Sequence, residues 1–224
     1  MDFLGLLRRG EPPATTLSQA QEVLGEPNVF DVTRVEKAWG QLRLGNPTIP
    51  YDLATLRAKA KENLAGARQW TLVYVIGLSL ASQLEKLGRN PNQLPCFMET
   101  GVWEDPDYAV LIVESGACGY RLLDFSLPHK NLDFAGQKAA IDKNRKHQRV
   151  SARTVSEAAL SMLMVSGSCP LTLCHHTAAQ VGEDSVLRLV YEPKLGLALI
   201  VCPDSPRPDA GTVICKMYDI APRK

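Results

Sequence analysis

The stretch VLRLVYEPKLGLALIVC, residues 186–202, predicts the fold class more directly than any other part of the chain. Branched and aromatic residues fill two runs, 186–192 and 197–202, and the turn sequence PKLG at 193–196 separates them. Two such runs joined by a short turn that contains proline and glycine are typical of an antiparallel β-hairpin. We therefore expect a sheet in the carboxyl-terminal half of the chain.

Four further stretches have the composition of strands. Each is short, contains aromatic and branched residues, and is bounded by turn residues. Residues 115–119, SGACG, predict the loop of another hairpin because glycine tolerates positive φ. The predicted strands are residues 97–103, 108–114, 120–127 and 212–220.

Helical periodicity dominates the amino-terminal part instead. Apolar residues recur at spacings of three and four over 17–24, 29–44 and 52–87, and Gly66 and Gly77 are where the last of these helices would break. Two more helices are expected after the first hairpin, over residues 132–149 and 156–165.

This order of elements predicts an α+β fold, with a helical amino-terminal portion followed by a mostly antiparallel sheet built from hairpins with helices inserted. We expect three parts: a flexible amino-terminal arm (1–16), a helical subdomain (17–92) and an α+β subdomain (93–224) that shares one core with it.

Composition excludes several classes of protein. The chain has 224 residues, with 25 Lys and Arg against 24 Asp and Glu, a net charge of +1 and 45% apolar residues. It is therefore neither a disordered polyelectrolyte nor a protein that coats nucleic acid by bulk charge. Its length suits one domain, or two subdomains that share a core.

The cysteines predict a reducing, cytoplasmic location. They are scattered inside or beside apolar runs of a chain large enough to build a core, which is typical of free thiols rather than of a disulfide framework. The longest apolar run, residues 70–81, is too short for the roughly 20 residues that span a bilayer, so no transmembrane segment is expected. The cysteines are Cys96, Cys118, Cys169, Cys174, Cys202 and Cys215.

A basic segment at 138–153, KAAIDKNRKHQRVSAR, is the leading candidate for a functional surface. It contains six cations and one acid, Asp142, in a chain that is otherwise balanced. Such a concentration of positive charge suits an anionic partner, either RNA or a membrane surface. A helix through this stretch would place residues 138, 142, 145, 146 and 149 on one face. The predicted contact residues are Lys138, Lys143, Arg145, Lys146, Arg149 and Arg153.

A second candidate is the cluster Cys169, Cys174, His175 and His176, whose sulfur and nitrogen atoms are the ligands that zinc prefers. Against zinc, neighbouring histidines on a strand point in opposite directions, and no second cysteine and histidine pair follows. Apart from this possible zinc, no cofactor is expected.

The sequence lacks the common phosphate-loop, dinucleotide, zinc-protease and serine-hydrolase motifs. We therefore expect a non-enzymatic binding or assembly protein, such as a coat, matrix or adaptor protein. We expect it to have a protein partner or to form a homo-oligomer. Its amino-terminal arm is expected to make a second contact. One alternative is a hydrolase or transferase that uses the cysteine and histidine cluster with Asp105 and Asp107. Another is an inhibitor or immunity-type protein that acts by protein contact alone.

Overall fold

The computed structural model describes residues 14–40, 47–172 and 175–217. Within these ranges the chain forms seven α-helices and two mostly antiparallel sheets, which confirms the α+β class. The hydrophobic core is one cluster that runs from Ala20 to Cys215. None of the described helices combines the length and the apolar character needed to cross a membrane.

The helices are α1 (Leu17–Leu24), α2 (Val32–Trp39), α3 (Leu53–Leu64), α4 (Leu80–Leu87), α5 (Ala109–Val113), α6 (Phe134–Asp142) and α7 (Ala152–Ser166). The strands are β1 (Val29–Phe30), β2 (Trp70–Val75), β3 (Gly119–Asp124), β4 (His147–Arg149), β5 (His175–Gln180), β6 (Ser185–Glu192), β7 (Gly196–Pro203), β8 (Ala210–Gly211) and β9 (Ile214–Lys216).

The strands form a first sheet in the order β1-β2-β3-β9-β4 and a second sheet in the order β7-β6-β5-β8. The hairpin predicted from residues 186–202 is confirmed, with β6 and β7 paired from Ser185 opposite Pro203 to Glu192 opposite Gly196. Parallel pairing occurs only between β1 and β2 and between β5 and β8 among the named strands.

Helix α7 connects the two sheets through the core, because it contacts β1 and β2 of the first sheet and β5 and β6 of the second. It begins after Ser151 and ends at Gly167, which adopts the left-handed conformation that glycine favours at helix ends. Most of its first three turns is buried, including Val155 and Leu160. Burial of this apolar face, at roughly 2 kcal/mol per large side chain, holds the layers together.

One carboxylate on α7 fixes the loop between β2 and α4. Glu157, 1% exposed, accepts hydrogen bonds from the backbone N–H groups of Ile76, Gly77 and Leu78, at 3.1 Å from Gly77 and 2.9 Å from Leu78. Burial raises the pKa of Glu157 to about 7, while the three N–H groups act in the opposite direction. The carboxylate thus satisfies three backbone donors that the loop would otherwise bury unpaired.

The helix expected over residues 52–87 is interrupted close to both glycines at which a break was expected, Gly66 and Gly77, but the strand between them was not predicted. The chain leaves the helical conformation after α3, forms β2, and becomes helical again at α4. All six residues of β2 are buried between β1 and β3, so this strand shows no alternation of polar and apolar residues. A fully buried strand and a buried helix share the same continuous apolar pattern, and here the pairing of both strand edges decides between them.

Two predicted strands also differ in the structure. Residues 109–113 form α5 rather than a strand, after a short 3₁₀ turn at Pro106–Tyr108. Residues 97–103 form no regular strand, although Phe97 bridges Leu197 and the Val102 N–H donates to Leu199 O at 3.1 Å. Proline at position 106 has no backbone N–H donor and favours the first turn of a helix. This effect outweighs the strand preference of the branched residues that follow.

Two glycines meet where the loop before α4 touches the loop before β3. Gly77 has φ +91°, and its carbonyl accepts a hydrogen bond from the Gly116 N–H at 2.9 Å. A Cβ atom at position 77 would overlap the Gly116 carbonyl oxygen, whereas one at Gly66, with φ +68°, would meet nothing within 4 Å.

We predict that Gly77→Ala lowers the free energy of unfolding by about 3 kcal/mol, since it adds overlap to the strain of a positive φ. Gly66→Ala carries only the strain and should cost about 1 kcal/mol. Urea denaturation of both variants measures the difference, and equal losses would contradict the close packing of these loops.

Candidate anion-binding surface

The helix expected over residues 132–149 is wrong beyond Asp142, so the basic segment at 138–153 does not have the single face that one helix would give it. Helix α6 begins where the Asp133 carboxylate accepts from the Gly136 N–H at 2.7 Å, and it ends at Asp142. A tight turn over residues 143–146 follows, and the chain then enters β4, which pairs with β9. The strand is favoured over further helix because its backbone groups complete the edge of the first sheet.

Two of the six predicted cations are held by acidic side chains. Lys138 Nζ lies 2.7 Å from Asp142 Oδ2 one helical turn away, and Arg153 Nη1 lies 2.5 Å from Glu114 Oε2. The first pair is exposed and the second joins the start of α7 to the end of α5. Their positive charge is therefore largely balanced within the protein.

The Arg149 side chain points into the protein, where it forms hydrogen bonds and packs against an aromatic ring. Its Nη1 donates to Gln137 Oε1 at 3.0 Å and to Thr177 O at 2.8 Å, and its guanidinium carbon lies 4.2 Å from the centre of the Phe134 ring. Burial lowers the pKa of Arg149 to about 10. This residue therefore belongs to the junction between the two sheets rather than to the exposed surface.

Lys143, Arg145 and Lys146 remain as exposed cations, and none of them forms an ion pair with any described residue. We call these three residues the basic turn. Asn144 shapes it, because its side-chain oxygen accepts from the Lys146 N–H at 3.2 Å. The Met217 N–H donates to Lys146 O at 2.8 Å and ties the turn to the end of β9.

His147 directly follows the basic turn in the sequence. The His147 ring packs against Trp70 with a centroid distance of 5.4 Å. Burial, together with the charges of Lys59 and Arg68, lowers the pKa of His147 to about 4. His147 is therefore neutral at pH 7 and adds no charge to the basic turn.

The zinc cluster stays a prediction from sequence, because one of its four residues, Cys174, lies outside the described residues. His175 and His176 alternate across β5 as expected: His176 is fully buried, and His175 Nε2 lies 3.7 Å from Asp209 Oδ2 on the other side. Cys169 is buried, and burial raises the pKa of its thiol to about 12. No three histidine, cysteine or acidic residues that the structure describes converge on a metal position.

Both ring nitrogens of His176 are already used. Nε2 lies 3.0 Å from Val150 O, and Nδ1 accepts a hydrogen bond from the Val213 N–H at 3.0 Å. These partners require the neutral tautomer with the proton on Nε2. Burial agrees, since it lowers the pKa of His176 to about 3. Neither nitrogen is available to a metal or to a reacting thiol without loss of a buried hydrogen bond.

The acidic turn is explained by local structure. Asp105 caps the 3₁₀ turn by accepting from the Asp107 N–H at 3.0 Å, and Glu104 pairs with Arg89 at 2.8 Å. Asp105 and Asp107 are exposed, and no described hydrogen bond or ion pair joins either of them to His175 or His176.

Sequence reasoning missed a second buried arginine, Arg188. It stands on β6 in the alternation VLRLVYE, where a charged residue between apolar neighbours is typical of the solvent face. The structure covers that face with residues 203–209, and Arg188 is 2% exposed. No local pattern could reveal this, because the covering segment follows β7 and its prolines predict an exposed loop.

An open groove of about 740 Å³ lies between α5 and the second sheet. Two of the apolar residues that line it are well exposed, Val110 on α5 at 79% and Val201 on β7 at 40%. Apolar side chains grouped at a surface are a common feature of contact surfaces between proteins.

No protein-family model matches the chain, and comparison with curated proteins and with solved structures gives no match either.

Substitution of the inward-pointing cation Arg149 and of the exposed cation Lys143 should have very different effects on the free energy of unfolding. Arg149→Ala removes two hydrogen bonds and the contact with Phe134, so we predict a loss of about 2–4 kcal/mol in the free energy of unfolding. Lys143→Ala should change it by less than about 0.5 kcal/mol. Chemical denaturation tests both, and a neutral Arg149→Ala would contradict the structural role given to this side chain.

Proposed function

We propose that the protein is a non-enzymatic binding protein whose basic turn contacts the phosphate backbone of RNA. The observation that carries this proposal is a group of three exposed cations within four residues, Lys143, Arg145 and Lys146, which form no ion pair with an acid in the described part of the chain. Unpaired surface cations release counterions from a nucleic acid when they bind its phosphates.

Chemistry at the turn favours RNA over a membrane surface. Residues 143–146 are Lys, Asn, Arg and Lys, so the turn has no apolar side chain that could enter a lipid bilayer. It has no aromatic residue for base stacking either, so the contact is with the backbone and has little preference for sequence. Because the net charge of the chain is only +1, we expect this contact to be confined to the basic turn.

Catalysis by the histidines receives no geometric support, because each ring nitrogen of His176 is bonded to backbone. The hydrolase or transferase alternative therefore rests on residues that the described geometry does not assemble. A protein partner, a homo-oligomer and a cytoplasmic location stay predictions from sequence. The predicted arm, residues 1–16, lies almost entirely outside the described residues.

The test replaces all three residues of the basic turn. Lys143→Ala, Arg145→Ala and Lys146→Ala together should weaken binding of a fluorescent single-stranded RNA by about tenfold or more. The slope of log binding constant against log salt should fall by about 2. Fluorescence anisotropy over a salt series measures both quantities.

A matched control is the triple variant Lys37→Ala, Lys61→Ala and Lys194→Ala, which removes the same charge from exposed positions elsewhere. It should bind RNA almost as the wild type does. Equal weakening by both triple variants, no salt-dependent RNA binding by the wild type, or binding to anionic vesicles without binding to RNA would each overturn the proposal.

A further inference from the structure

A groove follows the line along which α2 packs on the last turns of α7. It consists of three adjoining hollows of about 340, 340 and 460 Å³. Arg34 lines the first and the second hollow, while Ala38 and Met164 line the second and the third. Because neighbouring hollows share side chains, they form one continuous surface, which we call the α2–α7 groove.

The floor of the α2–α7 groove is apolar. The side chains of α7 that line it at positions 162–165 are methionine, leucine, methionine and valine. Leu94, which lines the third hollow, is 45% exposed. Methionine adapts its shape to a partner, and an open apolar groove is a typical docking surface for a helix.

Two cations stand on the α2 side of the groove. Lys37 is exposed, and Arg34 is half-buried, with its guanidinium carbon 5.9 Å from the centre of the Phe30 ring. Neither cation forms an ion pair with a residue that the structure describes. Glu26 is the single described acid that lines the groove, and it does so in the first hollow, at the opposite end from Leu94. The groove therefore favours an occupant that is apolar and negatively charged.

Helix α5 and the turn before it have this chemistry. Val110 and Val113 are three residues apart, so they lie on one face of the helix, and they are 79% and 63% exposed. Asp105 and Asp107 are exposed and form no ion pair within residues 14–40, 47–172 and 175–217. We call these four residues the α5 surface.

The lengths of the groove and of α5 agree. Helix α5 has five residues and is about 7.5 Å long, since an α-helix rises 1.5 Å per residue. Arg34 and Ala38 are four residues apart and mark about 6 Å of the groove along α2. A short helix such as α5 therefore matches the groove, whereas a long one would extend beyond it.

Within one copy of the protein the α5 surface cannot reach the groove. An ion pair of 2.5 Å between Arg153 and Glu114 holds the end of α5 at the start of α7. Met162, in the groove, lies nine residues after Arg153, which is about 14 Å along the helix axis. The two surfaces therefore stand at opposite ends of α7, and only a second copy can bring them together.

We propose that the occupant of the α2–α7 groove is the α5 surface of a second copy of this chain. Val110 and Val113 pack on the apolar floor at Met164, and Asp107 faces Lys37. Such a contact joins two different surfaces, so it is heterologous and continues from copy to copy into a ring or a filament. It uses none of the residues of the basic turn and goes beyond the proposed RNA contact.

The amino-terminal segment, residues 1–13, is a less suitable occupant although it contains several apolar residues. Its Arg8 and Arg9 have the same charge as Arg34 and Lys37, so they would be repelled from the α2 side of the groove.

Sedimentation velocity from micromolar to millimolar protein tests the proposal. The average mass of the wild type should rise with concentration. Val110→Ser with Val113→Ser removes the apolar contact, and Arg34→Glu with Lys37→Glu reverses the charge of the groove. Each double variant should weaken association by about tenfold or more. Circular dichroism melting checks that each variant folds, and Lys37→Glu alone replaces the groove variant if loss of the Arg34 stack on Phe30 lowers its Tm.

A mixture of the two double variants identifies the geometry of the contact. The groove variant keeps an intact α5 surface, and the α5 variant keeps an intact groove. An equimolar mixture should therefore form a one-to-one dimer that grows no further, although each variant alone stays monomeric at the same concentration.

Matched controls change the same residue types elsewhere. Lys61→Glu and Leu64→Ser lie on α3, where Leu64 is 89% exposed, and each should associate as the wild type does. The variant Lys143→Ala, Arg145→Ala and Lys146→Ala should also keep full association. Self-association therefore fails or succeeds independently of RNA binding by the basic turn.

Three results would overturn the proposal. A wild type that is monomeric at every concentration would assign the groove to a different protein. Loss of association in Leu6→Ser with Leu7→Ser, but not in Val110→Ser with Val113→Ser, would make the amino-terminal segment the occupant. Absence of a dimer from the mixture of folded variants would exclude the head-to-tail contact.

Discussion

The two sheets are joined by one buried imidazole, and the arrangement of the rest of the structure depends on this link. His176 belongs to β5 of the second sheet, yet its ring bonds Val150 at the end of β4 and Val213 just before β9. Because both partners are backbone groups of the first sheet, the ring must stay neutral with the proton on Nε2. This link sets β4 against β5, so Arg149 reaches the Thr177 carbonyl and residues 143–146 remain outside the junction.

The sheet junction also explains how a nearly neutral chain has a local positive surface. Of the six cations in residues 138–153, two pair with Asp142 and Glu114, Arg149 is turned into the protein, and three are exposed and pair with no acid among residues 14–40, 47–172 and 175–217. Charge counts along the sequence give the same weight to all six. Only the fold separates cations that stabilise the protein from those free to meet a partner.

The predictable parts of the fold are those with a local signal. The hairpin of β6 and β7 follows from alternation around PKLG, and α7 from its apolar face and Gly167. Strand β2 was missed because burial on both faces removes the alternation that identifies a strand. For the candidate surfaces, the sequence singled out the segment 138–153 as a whole and could not separate its exposed cations from its paired or inward-pointing ones. It gave no sign that Arg188 is buried, since the segment that covers Arg188 follows the next strand along the chain.

The most direct measurement of the central claim is a two-dimensional ¹H–¹⁵N NMR titration of the labelled protein with a short single-stranded RNA. We predict that the largest amide shifts lie at residues 143–146, where the cations are exposed, and that those of Arg149, Arg153 and Thr177 stay small. Shifts concentrated at the groove beside α5, or no shifts at the basic turn, would contradict the division between outward and inward cations.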